Sequence, residues 1–167
     1  MTGSRGYDRA GGLIYDPGVR MFRSIVVGTD GSDTAKEAVV AAVDLAKQIG
    51  ATLDIVSAYE PVPQSRLRDE ARQAPEDLQW MISPREDVEA TLRDAAEVVR
   101  EAGLEVETFA REGDPADAIL DVAEEREADL IVVGNKGMTG AKRFLLGSVP
   151  NRVSHHAPCS VLIIRTT

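Results

Sequence analysis

A chain of 167 residues, 43% apolar and 28% charged, suits one domain that buries roughly 70% of its unfolded surface, so it needs neither a disulfide framework nor a structural metal. Its 28 acidic and 19 basic side chains leave a net charge of −9, which repels nucleic-acid phosphates and argues against a DNA- or RNA-binding role. Cys159 is the only cysteine, no apolar run approaches a membrane span, and residues 1–20 lack the apolar stretch of a signal peptide, a combination expected of a protein in the reducing cytoplasm.

Residues 1–20 are rich in Gly, Arg and Asp without an apolar period and read as a flexible tail, leaving 21–167 as the domain. Ser24-Ile25-Val26-Val27 is short and β-branched, as a strand covered on both faces should be. A helix is expected from about Ser32 to Ile49, with Ala35, Ala38, Val39, Ala42, Leu45, Ala46 and Ile49 on its buried face and Gly50 as its stop. Leu53 to Tyr59 reads as the second strand. Glu60 to Ile82 holds prolines and mixed charge and reads as a long loop with a helical turn near Trp80. Ser83-Pro84-Arg85-Glu86 is a helix-start signature, and Gly103 ends that helix.

Leu104 to Phe109 alternates apolar and polar residues, the pattern of an edge strand. Asp114-Pro115 opens a further helix, carried by Ile119, Val122 and Ala123. Asp129 to Val133 is a second apolar strand, Ser148 to His156 a short helix, and Ser160 to Ile164 the last strand. Strict alternation of strand and helix implies a three-layer α/β/α fold around a five-stranded parallel sheet, and we order its strands 3-2-1-4-5. In such a Rossmann-like sheet, ligands bind beyond the carboxyl ends of the strands where the order reverses, here between strands 1 and 4.

The loops at that point are glycine-rich. Gly134-Asn135-Lys136-Gly137, nine further residues and then Gly147-Ser148 form the pattern G-x2-G-x9-G-S between a buried strand and a helix. Glycine lets backbone amides approach an anion closely, and Gly147-Ser148 fall at a helix N-terminus, where free N–H groups favour negative charge. The Ser148 hydroxyl is placed to donate to a phosphate or to cap the helix. Lys136, Lys142 and Arg143 add local positive charge, and Lys136 and Arg143 are candidates for phosphate contact. Asp30 suits a turn and helix cap, and a carboxylate beside polyphosphate needs a ribose hydroxyl or a bridging Mg2+.

With the opening Ile25-Val26-Val27-Gly28-Thr29-Asp30-Gly31-Ser32, the Gly113-Asp114-Pro115 step and the closing Ala157-Pro158-Cys159-Ser160-Val161-Leu162, this pattern resembles the ATP-binding branch of the universal stress protein family, over about Phe22 to Arg165. That resemblance implies an adenine nucleotide alpha hydrolase-like fold and ATP as ligand. It implies that Gly28, Thr29 and Asp30 line the nucleotide site, that Ala58 meets adenine through its backbone, and that Gly134, Lys136, Gly137, Gly147, Ser148 and Val149 hold ribose and phosphates. It also implies a homodimer formed through the last strand, Val161 to Ile164.

The expected activity is regulation by ATP, with Mg2+, rather than turnover. Neither His155 nor His156 falls in the site loops, and no acidic pair is evident there. Binding of cAMP, a ligand-free adaptor role and slow ATP hydrolysis are the alternatives. Cys159 reads as a small core residue.

Overall fold

Strand β1 (Ser24–Gly28) carries Ile25, Val26 and Val27, all without solvent exposure, so it has to sit in the middle of a sheet covered on both faces. The computed structural model describes residues 22–60, 84–135 and 146–166 and puts β1 there. Helix α1 (Asp33–Ile49) begins at Ser32, whose side chain accepts from the Ala35 amide at 3.2 Å. It ends at Gly50, in the left-handed region at φ 67°. Its buried stripe is Ala35, Ala38, Val39, Ala42, Val43 and Ala46. Val43 joins the expected set, whereas Leu45 and Ile49 are only partly buried at the flank of the same core.

Strand β2 (Thr52–Tyr59) follows, then α2 (Pro84–Glu101), whose Leu92, Ala96 and Val99 are buried. Strand β3 (Val106–Glu112) corrects the expected Leu104–Phe109. Gly103, at φ 80°, turns the chain out of α2, and the Leu104 amide still donates to Val99 O at 3.2 Å. Leu104 therefore belongs to the helix exit, and pairing with β2 runs from Leu53↔Val106 to Tyr59↔Glu112. Helix α3 (Pro115–Glu125) is capped by Asp114, whose carboxylate accepts from the amides of Ala116 at 2.8 Å and Asp117 at 3.2 Å.

Strand β4 (Leu130–Gly134), helix α4 (Ser148–His156) and strand β5 (Ser160–Ile164) complete the elements. Asp129, expected inside β4, instead closes the amino end of β1: its carboxylate accepts from the amides of Arg23 and Ser24 at 2.9–3.1 Å.

All pairings are parallel, and the strand order is β3-β2-β1-β4-β5, as expected. The period of two along each strand divides the core. Ile25, Val27, Leu53, Ile55, Leu130 and Val132 face α1 and α2, with Val39, Val43, Leu92 and Val99. Val26, Val56, Ile131 and Val133 face α3 and α4, with Ile119, Val122 and Val153. Cys159 is partly buried against this second core, much as expected of a small core residue. The expected tail 1–20, the loop and helical turn near Trp80, and the Ser83 cap lie outside the described residues.

Candidate functional site

A cavity of about 310 Å3 opens at the carboxyl ends of β1, β2 and β4, where the strand order reverses. Gly28, Thr29 and Asp30 form its floor, Val56, Ser57 and Ala58 one side, and Val133, Gly134 and Gly147–Pro150 the other. Pro115 and Ile119 of α3 close it from above the sheet. Of the residues singled out from the sequence, the fold thus brings together Gly28, Thr29, Asp30, Ala58, Gly134, Gly147, Ser148 and Val149. Lys136, Gly137, Lys142 and Arg143 lie outside the described residues.

The floor is held by hydrogen bonds. The Thr29 amide donates to Val56 O at 2.9 Å, and the Thr29 hydroxyl accepts from the Gly31 amide at 3.2 Å. Asp30 Oδ1 accepts from the Ser32 amide at 3.0 Å and from the Ser32 hydroxyl at 2.6 Å. The carboxylate therefore shapes the turn into α1 while standing in the cavity wall. Among the described residues no cluster of three or more His, Cys, Asp or Glu side chains converges on one point. A divalent cation beside Asp30 would draw most of its oxygen ligands from the bound molecule and water.

Two helices start at the cavity, and they differ. The first-turn amides of α3 are taken by the Asp114 carboxylate, and Pro115 has no N–H. Helix α4 starts at Gly147 with no side-chain cap, so Ser148 does not act as the cap. Pro150, the third residue of that turn, has no N–H either, which leaves Ser148 and Val149 as its amide donors. An anion is therefore favoured at α4. Arg152 ties the two helices together, its guanidinium 3.2 Å from Asp114 and 2.6 Å from Asp117.

The apolar wall was not singled out from the sequence: Val56, Pro115, Ile119, Val133 and Pro150. A side chain at Gly28 would collide with Ile119 of that wall, a constraint that only the fold makes apparent. His155 and His156 sit at the far end of α4, away from the cavity.

A wider, open cleft of about 790 Å3 lies at the opposite, amino end of the strands. It is lined by Asp54, Glu105, Glu107, Glu125, Glu127 and Asp129 against Arg23 and Arg126. Its cations are engaged: Arg126 bonds the buried Asp54 at 2.9 Å and Glu107 at 2.8 Å, and Arg23 lies 3.9 Å from Asp129. Those bonds, to Asp54 first and then Glu107, raise the Arg126 pKa further above its ordinary value. The surplus of carboxylates disfavours an anionic ligand, so size alone does not make this cleft the better candidate.

The model of the Universal stress protein family matches residues 21–165. A universal stress protein of Methanocaldococcus jannaschii is 35% identical over 155 residues, covering 91% of this chain and 87% of its own length. One from Mycobacterium tuberculosis is 41% identical over 152 residues, with 87% and 98% covered. Among solved structures, a universal stress protein in complex with cAMP is 35% identical, with a TM-score of 0.66 over 88% of this chain and 99% of that one. A universal stress protein from Archaeoglobus fulgidus in complex with dAMP is 26% identical, with a TM-score of 0.62 over 87% and 99%.

Proposed function

The chain belongs to the universal stress protein family, and from that premise we propose that it binds an adenine nucleotide in the cavity between β1 and β4 and acts as a nucleotide-responsive regulator of stress survival. The observation that carries this reading is the pairing of an uncapped α4 N-terminus with an apolar slot. The Ser148 and Val149 amides suit a phosphate. Val56, Ile119 and Val133 suit the flat faces of a purine, with the Ala58 backbone at its edge.

ATP with Mg2+ is the primary form of the proposal. Asp30 lines the cavity, and a carboxylate beside polyphosphate is accommodated through a bridging cation or a ribose hydroxyl. A second reading, cAMP, has a specific support: a relative at 35% identity was solved with that ligand. A cyclic monophosphate carries one charge and needs no metal, which fits a lining whose described residues include no lysine or arginine.

Regulation without turnover is part of the same proposal. The described lining has one carboxylate and no histidine, so it offers no acid–base pair. Pairing of two copies along β5, with Val161 to Ile164 at the interface, would give nucleotide occupancy an assembly to act on.

Equilibrium titration with ATP and with cAMP, each with and without Mg2+, tests the reading. Saturable binding of ATP that strengthens with Mg2+ supports the ATP form. Metal-independent binding of cAMP alone transfers the assignment to the cyclic nucleotide. No binding of either at millimolar concentration refutes both, and turnover at an ordinary enzyme rate of about 1 s−1 or more refutes the non-catalytic role.

A further inference from the structure

Asn135 follows the cavity residue Gly134 but is not itself in the cavity wall. Its main-chain N–H donates to Ile164 O at the end of β5, at 2.9 Å, and its carbonyl accepts from the Gly147 N–H at 3.0 Å. Its side-chain Oδ1 accepts twice from one residue: from the Thr166 N–H at 3.1 Å and from the Thr166 hydroxyl at 2.8 Å. Thr166 is only 4% exposed, although it lies beyond the last strand. Four hydrogen bonds thus join the exit of β5, through Asn135, to the residue that starts α4.

We infer that Asn135 and Thr166 are a positioning pair for the phosphate end of the cavity. Thr166 fixes the Asn135 side chain, Asn135 holds Gly147, and Gly147 sets the direction in which the Ser148 and Val149 amides point. The inference rests on the nucleotide reading above and adds residues that act without touching the ligand.

The chemistry explains why such a brace belongs here. Donors aimed at an anion act through direction and distance, so a small rotation of the first turn of α4 weakens them. A nucleoside held on Val56, Ile119 and Val133 is far less sensitive, because apolar contact is non-directional. Loss of the brace should therefore reduce recognition of the phosphate while sparing the nucleoside. No other donor to the side-chain carbonyl of Asn135 is needed, since an amide oxygen has two lone pairs and Thr166 fills both.

The test compares three ligands on the same preparations: ATP, cAMP and adenosine. Thr166→Val removes the hydroxyl and keeps the backbone bond, Thr166→Ser keeps both, and Asn135→Ala removes the acceptor. In Thr166→Val the tighter of ATP and cAMP should bind about tenfold more weakly, while adenosine changes by less than about twofold, and Thr166→Ser should match the wild type. Taking the nucleotide-to-nucleoside ratio within each preparation removes the effect of a partly folded sample.

An unchanged ratio in both Thr166→Val and Asn135→Ala, with the wild type binding nucleotide normally, overturns this inference alone. Equal losses for nucleotide and nucleoside mean a purely structural role and overturn it as well. A wild-type protein that binds neither nucleotide overturns the nucleotide reading, and this inference falls with it.

Discussion

At Gly28 a single added carbon would meet the cavity's own wall. A Cβ there would stand 2.5 Å from Ile119 Cδ1 and 3.0 Å from its Cγ1, and Ile119 is itself buried. Gly28→Ala must push that side chain aside or narrow the slot. We expect a stability loss of about 1–3 kcal/mol, read from denaturant midpoints, and a loss of nucleotide affinity of at least about tenfold, read by calorimetric titration. Cys159 gives a prediction on pH. Burial first, and the Asp129 carboxylate second, push its thiol above the ordinary 9.0. The folded chain then keeps a proton that the unfolded chain has begun to release. The stabilisation is complete below pH 9.0 and is lost as pH rises through the raised value. Cys159→Ser should flatten the alkaline end of a stability profile, beside a pH-independent loss from replacing a thiol packed against the core by a hydroxyl.

Among the elements, α3 and α4 matter most because their first turns meet at the cavity. Asp114→Ala removes the cap from α3 and one partner of Arg152, and we expect it to cost about 1–2 kcal/mol. Arg152→Ala breaks only half-exposed ion pairs and should cost less than about 1 kcal/mol. Urea titration of the two variants side by side checks the order. Helix starts of this kind were legible in advance, because Asp114-Pro115 and Ser32 are local signals with a local mechanism. The start of β3 was not. Leu104 has the right residue type for a strand, but the bond from its amide back to Val99 claims it for the helix exit, and sequence alternation carries no trace of that. The Asp54–Arg126 pair was equally hidden, since 72 residues separate its members and only the fold brings them together.

On the scale of the whole molecule, the parallel sheet divides the work between its two ends. Among the described residues, carboxylates crowd the amino-end cleft, while Asp30 is the only ionisable group in the wall of the carboxyl-end cavity. An acidic protein can thus keep one end fit for an anion. The glycine spacing singled out that end in the sequence, since it depends on backbone geometry alone, and Gly134 and Gly147 do line the cavity there. The apolar wall and the Asn135–Thr166 brace were not visible, because they depend on which helix covers which strand and on a contact spanning 31 residues. The edge strand β5 adds a prediction. Leu162 is 38% exposed at the border of the described sheet, so Leu162→Lys should dissociate a β5-paired dimer in sedimentation velocity while the fold persists.

Amide chemical-shift mapping during titration with ATP or cAMP tests the location of the nucleotide most directly. The account predicts that the largest changes fall on Gly28 to Asp30, Ala58, Gly134 and Gly147 to Val149. Changes centred instead on Asp54, Glu107 and Arg126 at the amino end of the strands would contradict it.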